Sequence, residues 1–126
     1  MTTTDGLTDF SGAGLRGDRH MLDINGFGAV TLSGNVSLTD KYANVQRLDC
    51  GGTGRTLTLP DAADSEGMWF DLINWSDGAE DLTVNLSATD GGTTLVTVSQ
   101  NEKCTVRCDG SSWERFGLQT INIAAT

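Results

Sequence analysis

Residue types that carry catalysis or hold metals are scarce in this chain. It has one histidine, His20, one proline, Pro60, and three cysteines, Cys50, Cys104 and Cys108. A zinc site needs about four clustered Cys and His ligands, which this inventory does not supply. His20 stands beside Arg19 at the end of a Gly-, Thr- and Ser-rich stretch, where no rigid triad is held, and reads as an incidental surface residue. No glycine-rich loop leads from a strand into a helix, so phosphate cradling has no basis. An odd cysteine count argues against a disulfide framework. Cys104 and Cys108 fall in one strand pattern, roughly 13 Å apart, beyond disulfide reach. They are expected to be buried thiols, and pairing of Cys50 with either is disfavoured in a reducing compartment.

Basic residues are also few. Eight Lys and Arg against 17 Asp and Glu give a net charge of -9 and a pI near 4.2. A nucleic-acid backbone requires a basic face, which two lysines and scattered arginines cannot assemble, so nucleic acid is excluded as a partner. No apolar run approaches the roughly 20 residues of a membrane-spanning helix, and Met1-Thr2-Thr3-Thr4-Asp5 lacks the features of a signal peptide. No membrane partner is expected, and synthesis in a cytoplasm is. Aromatics make up only 6% and hydrophobic residues 37%, which predicts a thin core of Val, Leu, Ile and Thr that completes its burial against copies of itself.

What is present is period-two alternation. In Arg55-Thr56-Leu57-Thr58-Leu59-Pro60, leucines alternate with threonines; after an acidic turn, Met68, Phe70 and Leu72 alternate with Trp69, Asp71 and Ile73. Pro60 ends the first strand and starts a single helical turn through Asp61, Asp64 and Glu66. Similar alternation marks Leu22–Ile24 with a turn at Asn25-Gly26, then Val30–Leu32, Val36–Leu38, Leu82–Leu86, Thr93–Ser99 and Cys104–Cys108. Trp113–Phe116 and Ile121–Ile123 close the chain. Val45 and Leu48 are out of phase, which predicts a bulge or an edge strand. The expectation is an all-β fold of about ten short strands, an antiparallel sandwich or barrel spanning residues 21–126, with no internal repeat. Residues 1–20 read as an extended N-terminal arm whose Leu7, Phe10 and Leu15 dock on a neighbour.

Several motifs are weaker than they look. Asp61, Asp64 and Glu66 fall in one turn and could bind calcium, but lack the glycine-centred loop of an EF-hand; carboxylates favouring the start of a helical turn are the better explanation. Arg16-Gly17-Asp18 spells an integrin-binding tripeptide that no stiffened loop presents. Asn35-Val36-Ser37, Asn74-Trp75-Ser76 and Asn85-Leu86-Ser87 fit a glycosylation pattern that is idle without secretion. Trp69, Trp75 and Trp113 can form a sugar-stacking platform, although tryptophan on a strand is commonly core or interface.

The order Leu59-Pro60, acidic turn, Gly67-x-x-Phe70-x-x-Ile73-Asn74, and a late Asp109-Gly110-x-x-Trp113 hairpin resembles small β modules of tailed-bacteriophage virion proteins, over roughly Lys41 to Phe116. Such modules occur in capsid decoration (cement) proteins and at tail-fibre tips, usually as homotrimers. The small size, the arm and the lack of coiled-coil heptads are closer to the decoration type. The resemblance implies a structural protein, not an enzyme, without cofactors, that binds the major capsid protein on the outer surface of the head and stabilises the shell. It implies arm contacts through Leu7, Phe10 and Leu15, and a subunit interface near Trp69 and Trp75. A tail-fibre tip or virion-surface glycan-binding module is the alternative.

Overall fold

A computed structural model describes residues 30–121 of the chain. Ten strands follow one another: β1 (Val30–Thr31), β2 (Val36–Ser37), β3 (Val45–Asp49), β4 (Arg55–Thr58), β5 (Trp69–Asn74), β6 (Leu82–Asn85), β7 (Thr94–Val98), β8 (Glu102–Cys108), β9 (Trp113–Arg115) and β10 (Gln119–Thr120). Among the described residues, helix is limited to two 3-10 turns, Ala62–Asp64 and Ala88–Asp90.

The strands form two sheets. One has the order β1-β3-β5-β8-β10, with β9 also paired to β8; the other runs β2-β4-β6-β7. Both are mixed, which corrects the antiparallel expectation: β1, β3 and β5 are mutually parallel, as are β2, β4 and β6, while β7 to β10 pair antiparallel. Nor does either sheet close into a barrel. The reason is local. Parallel neighbours cannot be joined by a tight turn, so a crossover must lie between them. Here the crossover is a strand of the opposite sheet. The turns at Ser33–Asn35 and Cys50–Gly54, which look like hairpin turns, carry the chain from one sheet to the other.

Successive strand pairs therefore stack like coils, and equivalent side chains line up. Val30, Leu48 and Asn74 are in register in the first sheet, 18 and 26 residues apart. In the second, Val36, Leu57 and Val84 are in register at spacings of 21 and 27. Leu38 and Leu59 continue that register, donating to the carbonyls of Thr58 and Asn85 at 2.8 and 2.9 Å. A structural repeat exists where none was expected, because its period changes from coil to coil.

The core lies between the sheets. Leu48, Phe70, Leu72 and Val106 from one side meet Leu57, Val84 and Val98 from the other, all at most 1% exposed. At roughly 25 cal/mol per Å² of apolar surface, full burial of each such side chain contributes about 1.5–3 kcal/mol. β3 is an interior strand, not the edge expected from its broken alternation: Gln46 takes an inward position beside Leu48 and is fully buried. Its Nε2 donates to the Ala43 carbonyl at 2.8 Å, and Oε1 has no partner among the described residues.

Asn74 is the polar centre of the stack. Fully buried, it donates from Nδ2 to the carbonyls of Glu80 and Val98 at 2.7 and 2.8 Å, and its Oδ1 accepts from the Ser76 amide and hydroxyl at 3.1 and 2.6 Å. The Ser76 oxygen accepts in turn from the Cys50 amide at 2.8 Å. Every hydrogen-bonding position of the amide is used, so a group whose desolvation would otherwise be costly ties β5 to β7 and to the turns that leave β3 and β5.

Candidate functional site

Alternation along β5 turns Phe70 and Leu72 into the core and puts Trp69, Asp71 and Ile73 on the outer face of the six-stranded sheet. Trp75 follows one position past the strand, and its N–H still bonds the Leu48 carbonyl at 2.8 Å, so the same parity holds. Trp69 and Trp75 are 40% and 37% exposed, against 1% for Phe70. Six residues of strand set them roughly 20 Å apart.

Between and beside them lies a band of charge. Trp69 is opposite Arg107; Asp71 is opposite Val45 and Thr105; Ile73 is opposite Arg47 and Lys103. Lys103 Nζ stands 3.6 Å from Asp71 Oδ2, and the Thr105 hydroxyl donates to Asp71 Oδ1. The Arg47 guanidinium sits 6.0 Å from the centroid of the Trp75 ring, a cation–π contact. By strand parity Arg47, Lys103 and Arg107 share this face with Asp49, Asp71 and Glu114, so its charges cancel within a chain that carries -9. Another acidic body meets no net repulsion from these paired charges.

The border strand extends the apolar area. Arg115 pairs with Val106 and Gln119 with Lys103, so β9 and β10 run along one edge of β8 with one extra residue between them, a β-bulge. Phe116 and Leu118 lie in that bulge, 45% and 41% exposed. Neither was singled out by sequence reasoning. Their only signal is two large apolar residues flanking Gly117 next to a short strand.

Trp113 does not join the platform. It is 5% exposed, stacks on Phe70 with ring centroids 6.1 Å apart, and donates from Nε1 to the Pro60 carbonyl at 2.8 Å. Its role is to close the core, which removes it as a sugar-stacking candidate. Leu7, Phe10 and Leu15, together with Arg16–Asp18 and His20, lie outside the described residues.

The acidic turn after Pro60 is structural in its hydrogen bonding. Asp61 precedes the 3-10 turn without a side-chain cap; the Ala62 amide donates instead to Asp90 Oδ2 at 2.8 Å. Among the described residues, the carboxylates that converge closely enough to share a cation are others: Asp49, Asp77 and Glu80, each with an oxygen within 4.8 Å of the others. Two of these carboxylates already accept from backbone amides, Asp49 Oδ1 from Gly51 at 2.9 Å and Glu80 Oε1 from Gly52 at 3.2 Å. They brace the turn between β3 and β4.

All three cysteines are buried free thiols, as expected. Burial pushes the Cys104 and Cys108 thiols up, opposed in part by hydrogen bonds to Phe116 and Gly110. Asp109 is shifted the other way: the amides of Ser112 and Ser111 donate to its carboxylate and hold it below the usual range. In this turn Gly110 takes a φ of 94°.

Comparison with known families, curated proteins and solved structures finds no match for this chain.

Proposed function

We propose that this is a virion structural protein that decorates the outside of a tailed-bacteriophage head, made in the host cytoplasm and added to the major capsid protein of the assembled shell. The reading comes from the phage-module resemblance. The observation that carries an assembly role is the outer face of the six-stranded sheet, where Trp69 and Trp75 stay exposed in a molecule poor in aromatics. Exposed tryptophans with paired cations are the residue types that dominate protein interfaces. In this reading copies of the chain meet through that face as a homotrimer, and the arm with Leu7, Phe10 and Leu15 grips the shell. A ligand that binds only the assembled shell stabilises it by mass action. No metal or cofactor takes part. The test adds the purified protein to heads lacking it and follows heat-induced DNA release. Release at higher temperature supports the reading, and unchanged release with no protein on the heads contradicts it.

A glycan-binding role, at a fibre tip or on the virion surface, is the second reading. It is favoured by the exposed Trp75 ring two residues from Asp77, since sugar rings stack on aromatics while neighbouring carboxylates accept their hydroxyls. Retention on a glycan array that Trp75→Ser abolishes, without binding to heads, selects this reading over the first.

A further inference from the structure

Among the described residues, the parallel stack ends at a strand with one free edge. The end strands of the second sheet among the described residues are β2 and β7, and β2 is paired there on one side only, to β4. The Leu38 amide donates to the Thr58 carbonyl at 2.8 Å, so alternation turns the N–H and C=O of Ser37 away from β4, towards the open side. A strand that fits there must be parallel to β2 and must present two apolar residues, two positions apart, to extend the column of core side chains. Each rung of that column has one form: Val36-Ser37-Leu38, Leu57-Thr58-Leu59, Val84-Asn85-Leu86, apolar, polar, leucine. The rungs lie 27 and then 21 residues apart going towards the N-terminus.

We propose that the open edge of β2 is a strand-acceptor site for Leu22-Asp23-Ile24 of the same chain, set in register with Val36-Ser37-Leu38. The segment has the apolar-polar-apolar alternation of the rungs, with Ile24 where they have leucine, and its spacing of 14 residues from Val36 continues the shortening series. A strand preceding β1 would fall in the second sheet, because the consecutive strands β1 to β6 alternate between sheets. The link fits as well. Asn25 to Ala29 is five residues, able to span roughly 17 Å, against about 10 Å between packed sheets. The equivalent link from Leu38 to Val45 is six. Asp23 falls opposite uncharged Ser37, so the pairing brings no like charges together. The chain's own segment, tethered five residues away, has a concentration advantage over any segment of another molecule.

Two measurements on the full-length protein test this. The first introduces Asp23→Cys with Ser37→Cys, positions whose Cα atoms in paired strands are within disulfide range. Mild oxidation is expected to give a bond within one chain, read as an unchanged mass on a non-reducing gel and identified by peptide mass spectrometry. A bond only between chains, or none, overturns the proposal. The second follows hydrogen exchange at the Ser37 amide in the otherwise unaltered protein and in Leu22→Asn/Ile24→Asn. Exchange at least about tenfold faster in the double variant is expected, and equal rates overturn the proposal.

Discussion

At the residue scale, a few positions have no slack. Asn74→Ala leaves the Glu80 and Val98 carbonyls and the Ser76 hydroxyl without their buried partner, and a loss of about 2–4 kcal/mol in urea unfolding is expected. Gly51 and Gly52 form an internal control. Both have positive φ, 81° and 100°, but a Cβ on Gly51 meets the Leu32 carbonyl oxygen at 2.5 Å, whereas one on Gly52 meets nothing within 4 Å. Gly52→Ala is expected to cost about 1–2 kcal/mol for the left-handed backbone alone, and Gly51→Ala clearly more. Equal costs in unfolding experiments contradict the close stacking of successive turns. The thiols give a pH test. Folded Cys104 and Cys108 hold their protons above the 9.0 of an ordinary thiol, so their contribution is complete below that value and is lost as pH rises through and beyond it. Melting temperature is expected to fall above pH 9, less steeply in Cys104→Ala/Cys108→Ala relative to that variant's own neutral value.

Elements show why some of this was legible beforehand. The 57–59 and 68–73 alternations placed β4 and β5 correctly, and Pro60 stopped β4 and led into the 3-10 turn because proline has no amide to give a ladder. Inward and outward residues of β5 followed from parity, so Trp69 and Trp75 were visible as candidates. Trp113 obeyed the same rule on a strand whose inner face is core. β3 was misread because Gln46 occupies an inward position, where composition announces a solvent residue. The parallel pairing was hidden for a different reason: a turn such as Ser33-Gly34-Asn35 specifies a reversal, not which sheet receives the next strand. Asn35 settles it through a contact distant in sequence, its Oδ1 accepting from the Thr56 amide at 2.9 Å. At the β8–β9 turn, Asp109 accepts two amides, and its depressed titration means the turn's stabilisation is present above the ordinary carboxylate value of 3.8 and is lost as pH falls through the lowered one. Asp109→Ala is expected to speed amide exchange at Ser111 and Ser112 at neutral pH, with the difference from the parent vanishing in strong acid.

For the whole molecule, the two-sheet stack leaves one broad surface that carries the exposed aromatics Trp69 and Trp75 among balanced charges and is bordered by Phe116 and Leu118. Trp69 and Trp75 lie partly exposed on the outer face, Trp75 beside the Arg47 guanidinium, and neither belongs to the core between the sheets, so replacing both with serine is expected to shift unfolding by no more than about 2 kcal/mol. Their value lies in association. Sedimentation equilibrium of the parent protein beside Trp69→Ser/Trp75→Ser, over the same concentration range, tests this directly. The account predicts a trimer for the parent and a folded monomer with near-parental melting for the double variant. A monomeric parent at high concentration, or a double variant that assembles as the parent does, would contradict it.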